Sequence, residues 1–347
     1  MDETVQLTIG FAEPVRPGGA LQRTIRDVCG TYTIPYIQSR SDLRVEALFV
    51  AASDIERMDL TLRNGVEVAA DASVTPASPV VEFTSLAPAE YSLRVDCLDA
   101  SGAVLTGGLV RQIGIGTVIA ALGDSITEGY HGYTFMREDL NLRGSHFPCS
   151  AVSRDGRNFP QFAPTASVHK PEANCFQSWM TDLNDKLTVA WDHPVFIANE
   201  GWGGYTAADY LRLMDTDDWQ RRMKDLEPVI WLLHLGVNDE RAKRTADLFE
   251  EDMNRIAERL IVEYGAEADT IYIAKPCYDY WPGASRRLAE YSEAIERIVR
   301  RLGLRQGPDF FTAYASNHEK WYGKDPVHPT VLGMRRMASL WADSLTA

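Results

Sequence analysis

The chain has 347 residues, 45% of them apolar, enough for one large domain or two smaller ones. Its formal net charge of −14 argues against nucleic acid as a partner and disfavours anionic membrane surfaces. No run of 18 or more apolar residues occurs, so no membrane-spanning helix is expected.

The opening stretch, MDETVQLTIGF, carries neither the basic start nor the apolar core of a secretion signal. The expectation is a cytoplasmic protein, or a secreted or periplasmic one whose leader has been removed. Cys29, Cys97, Cys149, Cys175 and Cys277 form no CxxC pair, so neither a zinc site nor a redox motif is expected. The odd count suits reduced, buried thiols, with one or two bridges left open for a secreted chain.

Residues 1–115 read as strands. Met58, Leu60 and Leu62 alternate with Asp59, Thr61 and Arg63, and Asn64-Gly65 follows as a hairpin signal. Tyr91, Leu93, Val95 and Cys97 alternate with Ser92, Arg94 and Asp96, and a Pro/Ser/Ala stretch, ADASVTPASPV, separates the two runs. Short alternating strands with frequent turns predict an accessory all-β sandwich, Ig-like or jelly-roll-like.

From residue 116 to 347 apolar runs alternate with helical patterns. TVIAAL precedes a helix near 176–187, VFIAN one near 206–225, and VIWLLHLG one near 244–264. TIYIAKPC precedes a helix near 284–302, and DFFTAY, the last apolar run, the C-terminal helix near 330–345. In 244–264, Phe249, Met253, Ile256, Ala257, Leu260 and Tyr264 share one face, and Gly265 suits the position after the helix. Continuous apolar strands between helices predict a three-layer α/β/α domain with a parallel sheet. Its ligand site is then expected at the carboxyl ends of the strands.

Those ends carry chemistry. Gly123-Asp124-Ser125-Ile126-Thr127 follows the first run, and Asn199-Glu200-Gly201-Trp202-Gly203-Gly204-Tyr205-Thr206 the second. Gly236-Val237-Asn238-Asp239 follows the third, and Asp325-Pro326-Val327-His328 precedes the last helix. These four blocks, in this order, resemble the SGNH (GDSL-type) hydrolase superfamily over residues 117–347. Each block by itself is common: Ser125 alone reads as a helix cap, and Asn238 alone as a turn residue. The order of all four carries the resemblance.

The resemblance implies a metal-independent serine esterase with no cofactor. Ser125 is then the nucleophile and His328 its base. Asp325 lies three residues before His328, and Pro326 and Pro329 stiffen the segment, so the carboxylate can meet the imidazole and fix its tautomer. The resemblance assigns the oxyanion donors to the Ser125 N–H, the Gly204 N–H and the Asn238 amide, with Gly201 and Gly203 as alternatives to Gly204. Asp124 and Asp239 are read as structural. In the family the path from nucleophile to first helix is short, whereas an insertion at about 131–174 intervenes here. It is expected to wall the pocket, since a loop that long in a compact domain is functional or disordered. Its His131, His146 and His169 are spaced too irregularly for a metal site.

The expected substrate is a short-chain ester, acetyl foremost, on carbohydrate. Trp202 and Tyr205 flank the glycines, Tyr278 and Trp281 follow the fourth run, and aromatic faces with polar edges suit sugar rings. A lipase, lysophospholipase or thioesterase of the same superfamily is the alternative. An inactive glycan-binding protein is the alternative of another class.

Overall fold

The computed structural model describes residues 5–10, 12, 14–27, 30–50, 54–129, 179–322 and 326–347. The chain divides into two compact units. One comprises Met1–Ile25, Tyr32–Thr117 and Asp192–Val195, the other Arg26–Thr31, Val118–Trp191 and Phe196–Ala347.

The first unit is built from alternation. Its strands are β1 (Val5–Ile9), β2 (Gln22–Asp27), β3 (Gly30–Gln38), β4 (Leu43–Phe49) and β5 (Arg57–Asn64), followed by β6 (Glu67–Val74), β7 (Val80–Phe83), β8 (Ala89–Leu98) and β9 (Val104–Ile115). They form a three-stranded sheet of order β1-β4-β7 and a six-stranded sheet of order β2-β3-β9-β8-β5-β6. Leu7, Val45 and Phe83 of the first sheet share one buried core with Leu60, Leu93 and Val110 of the second. Two sheets over one core make the sandwich. The larger sheet is mixed, because β3 pairs with β9 in parallel while β5, β6, β8 and β9 pair antiparallel. The β5–β6 hairpin turns one residue later than its Asn-Gly signal: Asn64 pairs with Glu67, so Gly65 (φ +57°) and Val66 form the turn.

The second unit is a five-stranded sheet of order β11-β10-β12-β13-β14, formed by β10 (Thr117–Gly123), β11 (Val195–Gly201), β12 (Ile230–His234), β13 (Ile271–Lys275) and β14 (Arg305–Asp309). The pairs β10–β12, β12–β13 and β13–β14 are parallel. The helices are α1 (Ser125–Glu128), α2 (Trp179–Trp191), α3 (Ala207–Met214), α4 (Asp217–Leu226), α5 (Val237–Arg241), α6 (Ala246–Tyr264), α7 (Ala284–Leu302), α8 (Phe310–Tyr314), α9 (His318–Trp321) and α10 (Val331–Thr346). Among the described residues, no helix is long and apolar enough to cross a membrane.

Two expectations are corrected here. The helix expected over 206–225 is two helices. Thr216 sits in extended backbone and accepts the Trp219 N–H, restarting the helix after Asp215. DFFTAY is not the last strand. That strand is Arg305–Asp309, and Asp309 accepts the Thr312 N–H at 2.9 Å, capping Phe310–Tyr314 as helix α8. An apolar run is silent on its own type when it is short, and here the cap decided. Helix α6 follows its period: Phe249, Met253, Ile256, Ala257 and Leu260 are buried, and Gly265 closes it at φ +66°.

Candidate active site

Register brings the motif blocks together. Gly123 at the end of β10 lies opposite His234 at the end of β12, so Ser125 and Gly236-Val237-Asn238 leave the sheet at the same level. The Trp202 N–H donates to the Gly123 carbonyl at 2.9 Å, tying the glycine-rich loop to the same edge. A side chain on Gly123 would meet Thr127 Oγ1 at 2.1 Å and the His234 carbonyl at 2.9 Å, so only glycine lets the chain turn there.

Asp124 caps α1, accepting the Ile126 N–H at 3.0 Å, which presents Ser125 at the first helical position. Burial pushes the Asp124 carboxyl up to about 6, against the Ile126 N–H and the charge of His328, which pull it down. Ser125 is half-buried. Its Oγ lies 2.9 Å from Nε2 of His328, 203 residues along the chain. A hydroxyl in hydrogen-bond reach of an imidazole is the geometry that nucleophile activation requires. Asp325, the expected partner of that imidazole, lies outside the described residues, as does the insertion at about 131–174.

The histidine segment is closed at its base, where the Thr330 N–H donates to the Trp321 carbonyl at 2.6 Å. Thr330 then caps α10 by accepting the Gly333 N–H. His328 thus stands on a short loop anchored at a helix start.

The donor side is cross-linked too. The Asn238 Nδ2 donates one proton to the Tyr205 carbonyl at 3.0 Å, leaving its second for another acceptor. The neighbouring Asp239 accepts the Ala207 N–H at 3.1 Å, so adjacent residues of α5 hold the glycine loop and the start of α3. Thr206 and Asp209 complete a reciprocal capping box on α3. Gly201 does not suit donation, since its N–H is taken by Asn199 Oδ1 at 3.0 Å. Gly204 has φ +84°, is exposed, and has open space where a side chain would stand. Among the described residues, neither Gly204 nor Gly203 donates its N–H to the protein.

Asp239 is fully buried, and burial pushes its carboxyl up to about 7, opposed by the Ala207 N–H and the Arg244 guanidinium 3.2 Å away. Among the described residues the buried His234 finds no hydrogen-bond partner at either ring nitrogen, and burial drives it down to about 3, so it is a neutral ring packed on Phe310.

The aromatic candidates divide. Trp202 and Tyr205 stack on each other, with centroids 5.4 Å apart. Tyr278 packs among Tyr280 and Phe311. Trp281 is 53% exposed, and the Arg241 guanidinium lies 4.6 Å from its ring. Sequence reasoning overlooked Arg241 and Asp279. They form an ion pair at 2.9 Å across 38 residues, and no local pattern announces a pair so far apart.

A comparison with family models matches residues 121–336 to the GDSL-like lipase/acylhydrolase family. The chain belongs to that family. The match takes in Ser125, Gly204, Asn238 and His328, and it makes the protein an SGNH-type hydrolase of the esterase class. A comparison with curated proteins found no match. Among solved structures, this hydrolase is similar to the lipase/acylhydrolase from Enterococcus faecalis, at 18% identity and TM-score 0.45, covering 66% of this chain and 95% of that one. It is also similar to Axe2, an acetylxylan esterase from Geobacillus stearothermophilus, at 16% identity and TM-score 0.46, covering 67% of this chain and 95% of that one.

Proposed function

We propose that this hydrolase is a serine esterase that removes short acyl groups, acetyl foremost, from carbohydrate hydroxyls. The observation that carries the mechanism is the 2.9 Å contact between Ser125 Oγ and His328 Nε2. Ser125 attacks the ester carbonyl carbon while His328 takes its proton, and the C=O electron pair moves onto oxygen. The N–H groups of Ser125 and Gly204 and the second Asn238 amide proton receive that oxyanion. Collapse re-forms the carbonyl and breaks the bond to the alcohol, which leaves with the proton from His328. Water, deprotonated by the same imidazole, then attacks the acyl-serine; the adduct collapses, the bond to Ser125 Oγ breaks, and the imidazolium returns its proton to that oxygen as the acid leaves. Asp325 orients the imidazole through Nδ1–H, a role that rests on its place three residues before His328.

The substrate reading rests on the loops. Trp281, 53% exposed, is the one large exposed apolar residue that the described strand-end loops of this sheet present, and it lies beside charged Arg241 and Asp279. A lipid site would need a contiguous aliphatic lining, whereas an aromatic face with polar neighbours suits a sugar ring. The test is a chain-length series of p-nitrophenyl esters together with acetylated oligosaccharides. A preference for acetyl and release of acetate from the sugars is expected. If kcat/KM climbs steadily to C8 or longer while acetylated sugars are inert, the enzyme is a lipase or thioesterase. No turnover of any ester, with glycan binding retained, would make it a binding protein.

A further inference from the structure

The loop after β13 grips the histidine segment at two points. The Tyr322 hydroxyl donates to the Tyr278 carbonyl at 2.7 Å, and the Tyr280 N–H donates to the Pro326 carbonyl at 3.1 Å. Tyr322 and Pro326 flank residues 323–325, and Pro326 is two residues from His328. Between the two gripping residues sits Asp279, whose side chain is 1% exposed.

Among the described residues that carboxylate meets two partners. Its Oδ1 accepts the Trp281 N–H at 2.7 Å, which shapes the turn that aims the Tyr280 N–H. Its Oδ2 takes the Arg241 guanidinium at 2.9 Å. Arg241 ends α5, the helix that carries Asn238 one turn earlier. A buried carboxylate demands such partners, because removing it from water is costly unless charge and hydrogen bonds compensate.

We infer that Asp279 is a positioning residue: through the Tyr278–Trp281 turn and Arg241 it fixes the His328 segment against the helix of Asn238. The base stands on the loop before α10 and the oxyanion amide on α5, and Asp279 ties the spacing of the two. Small misplacement of a catalytic group lowers the rate of chemistry without weakening ground-state binding. The role assumes the esterase reading given above.

The test uses the full chain with Asp279→Asn, Arg241→Gln, Arg241→Lys and the double variant Asp279→Asn/Arg241→Gln. In Asp279→Asn the amide can still accept from Trp281, but its N–H₂ cannot accept from Arg241. Thermal unfolding confirms that each variant is folded, and the Arg241 variants test the same clamp should Asp279→Asn fail to fold. The expected result is kcat on p-nitrophenyl acetate lowered by about 10- to 100-fold in Asp279→Asn and Arg241→Gln. KM stays within about twofold, Arg241→Lys recovers part of the loss, and the double variant is no worse than the poorer single one. Hydrogen exchange at the Tyr280 amide should quicken in Asp279→Asn. Wild-type kcat in folded single variants, a pure KM effect, additive losses, or unchanged Tyr280 exchange would overturn the inference while leaving the esterase reading intact. A wild-type protein inert toward every ester overturns that reading instead, and Tyr280 exchange then decides the clamp by itself.

Discussion

Asn238 Nδ2 donates to the Tyr205 carbonyl at 3.0 Å, which fixes the amide beside Gly204 before any substrate arrives. Such preorganisation lets a donor act only where charge develops. Asn238→Ala should therefore lower kcat by roughly 10²–10³-fold with little change in KM. Steady-state kinetics on p-nitrophenyl acetate reads this directly. A loss confined to KM would mean that Asn238 holds ground-state substrate or merely shapes the glycine loop.

Ser125 opens α1 directly after its cap Asp124, and its Oγ lies 2.9 Å from His328 Nε2. Ser125→Ala removes one oxygen and keeps the backbone, so folding should be unchanged while ester hydrolysis disappears. A fluorophosphonate probe followed by peptide mapping should mark Ser125 alone. A different labelled serine, or an active Ser125→Ala protein, would remove the nucleophile assignment.

If His328 takes the Ser125 proton as proposed, only its neutral form can do so, and kcat/KM should fall on the acid side of the profile. A profile flat from about pH 4 to 8 contradicts a histidine base.

Asp239 makes stability depend on pH in the direction opposite to an ordinary carboxylate. Its folded value, about 7, lies above the unfolded value near 4. Within that window the folded state holds the extra proton, so stability is full below it and is lost as pH rises through about 7. Asp124, pushed up to about 6, acts with the same sign. Asp239→Asn keeps an acceptor for the Ala207 N–H and cannot ionise. Urea unfolding should show this variant gaining on the wild type by roughly 2–3 kcal/mol between pH 5 and pH 8. An equal difference at both pH values would show that Asp239 ionises in the fold as it does unfolded.

His234 buries a polar ring with no hydrogen-bond partner at either nitrogen among the described residues. Leaving such a group unsatisfied costs about 1–3 kcal/mol. His234→Leu, similar in volume, should raise the Tm of its own unit by a few degrees, at about 2–4 °C per kcal/mol for a unit of 150–250 residues. A lower Tm in calorimetry would show that the edge-on contact with Phe310 outweighs the polar penalty.

The sequence by itself determined what is local. The alternation in Met58–Leu62 and Tyr91–Cys97 sets one face of each strand toward a core, and those residues are buried. The 3.6-residue period of α6 and its closing Gly265 were legible for the same reason, since a helix repeats every few residues. The first three blocks were legible because each ends a strand or opens a helix, and the order of all four matched a family pattern. Even locally, pattern failed where a single cap decides: Asp309 made DFFTAY a helix, and Thr216 broke 206–225 in two.

Only the tertiary structure decided what depends on distance across the chain. Sequence spacing carries no information about the 2.9 Å between Ser125 and His328, 203 residues apart, because parallel register and loop closure set it. The same holds for Asp279 and Arg241, two ordinary charged residues until one is buried and the other is brought to it. Burial also moved Asp124 and Asp239 out of the usual carboxylate range, since the penalty for charge comes from the surroundings that the fold assembles.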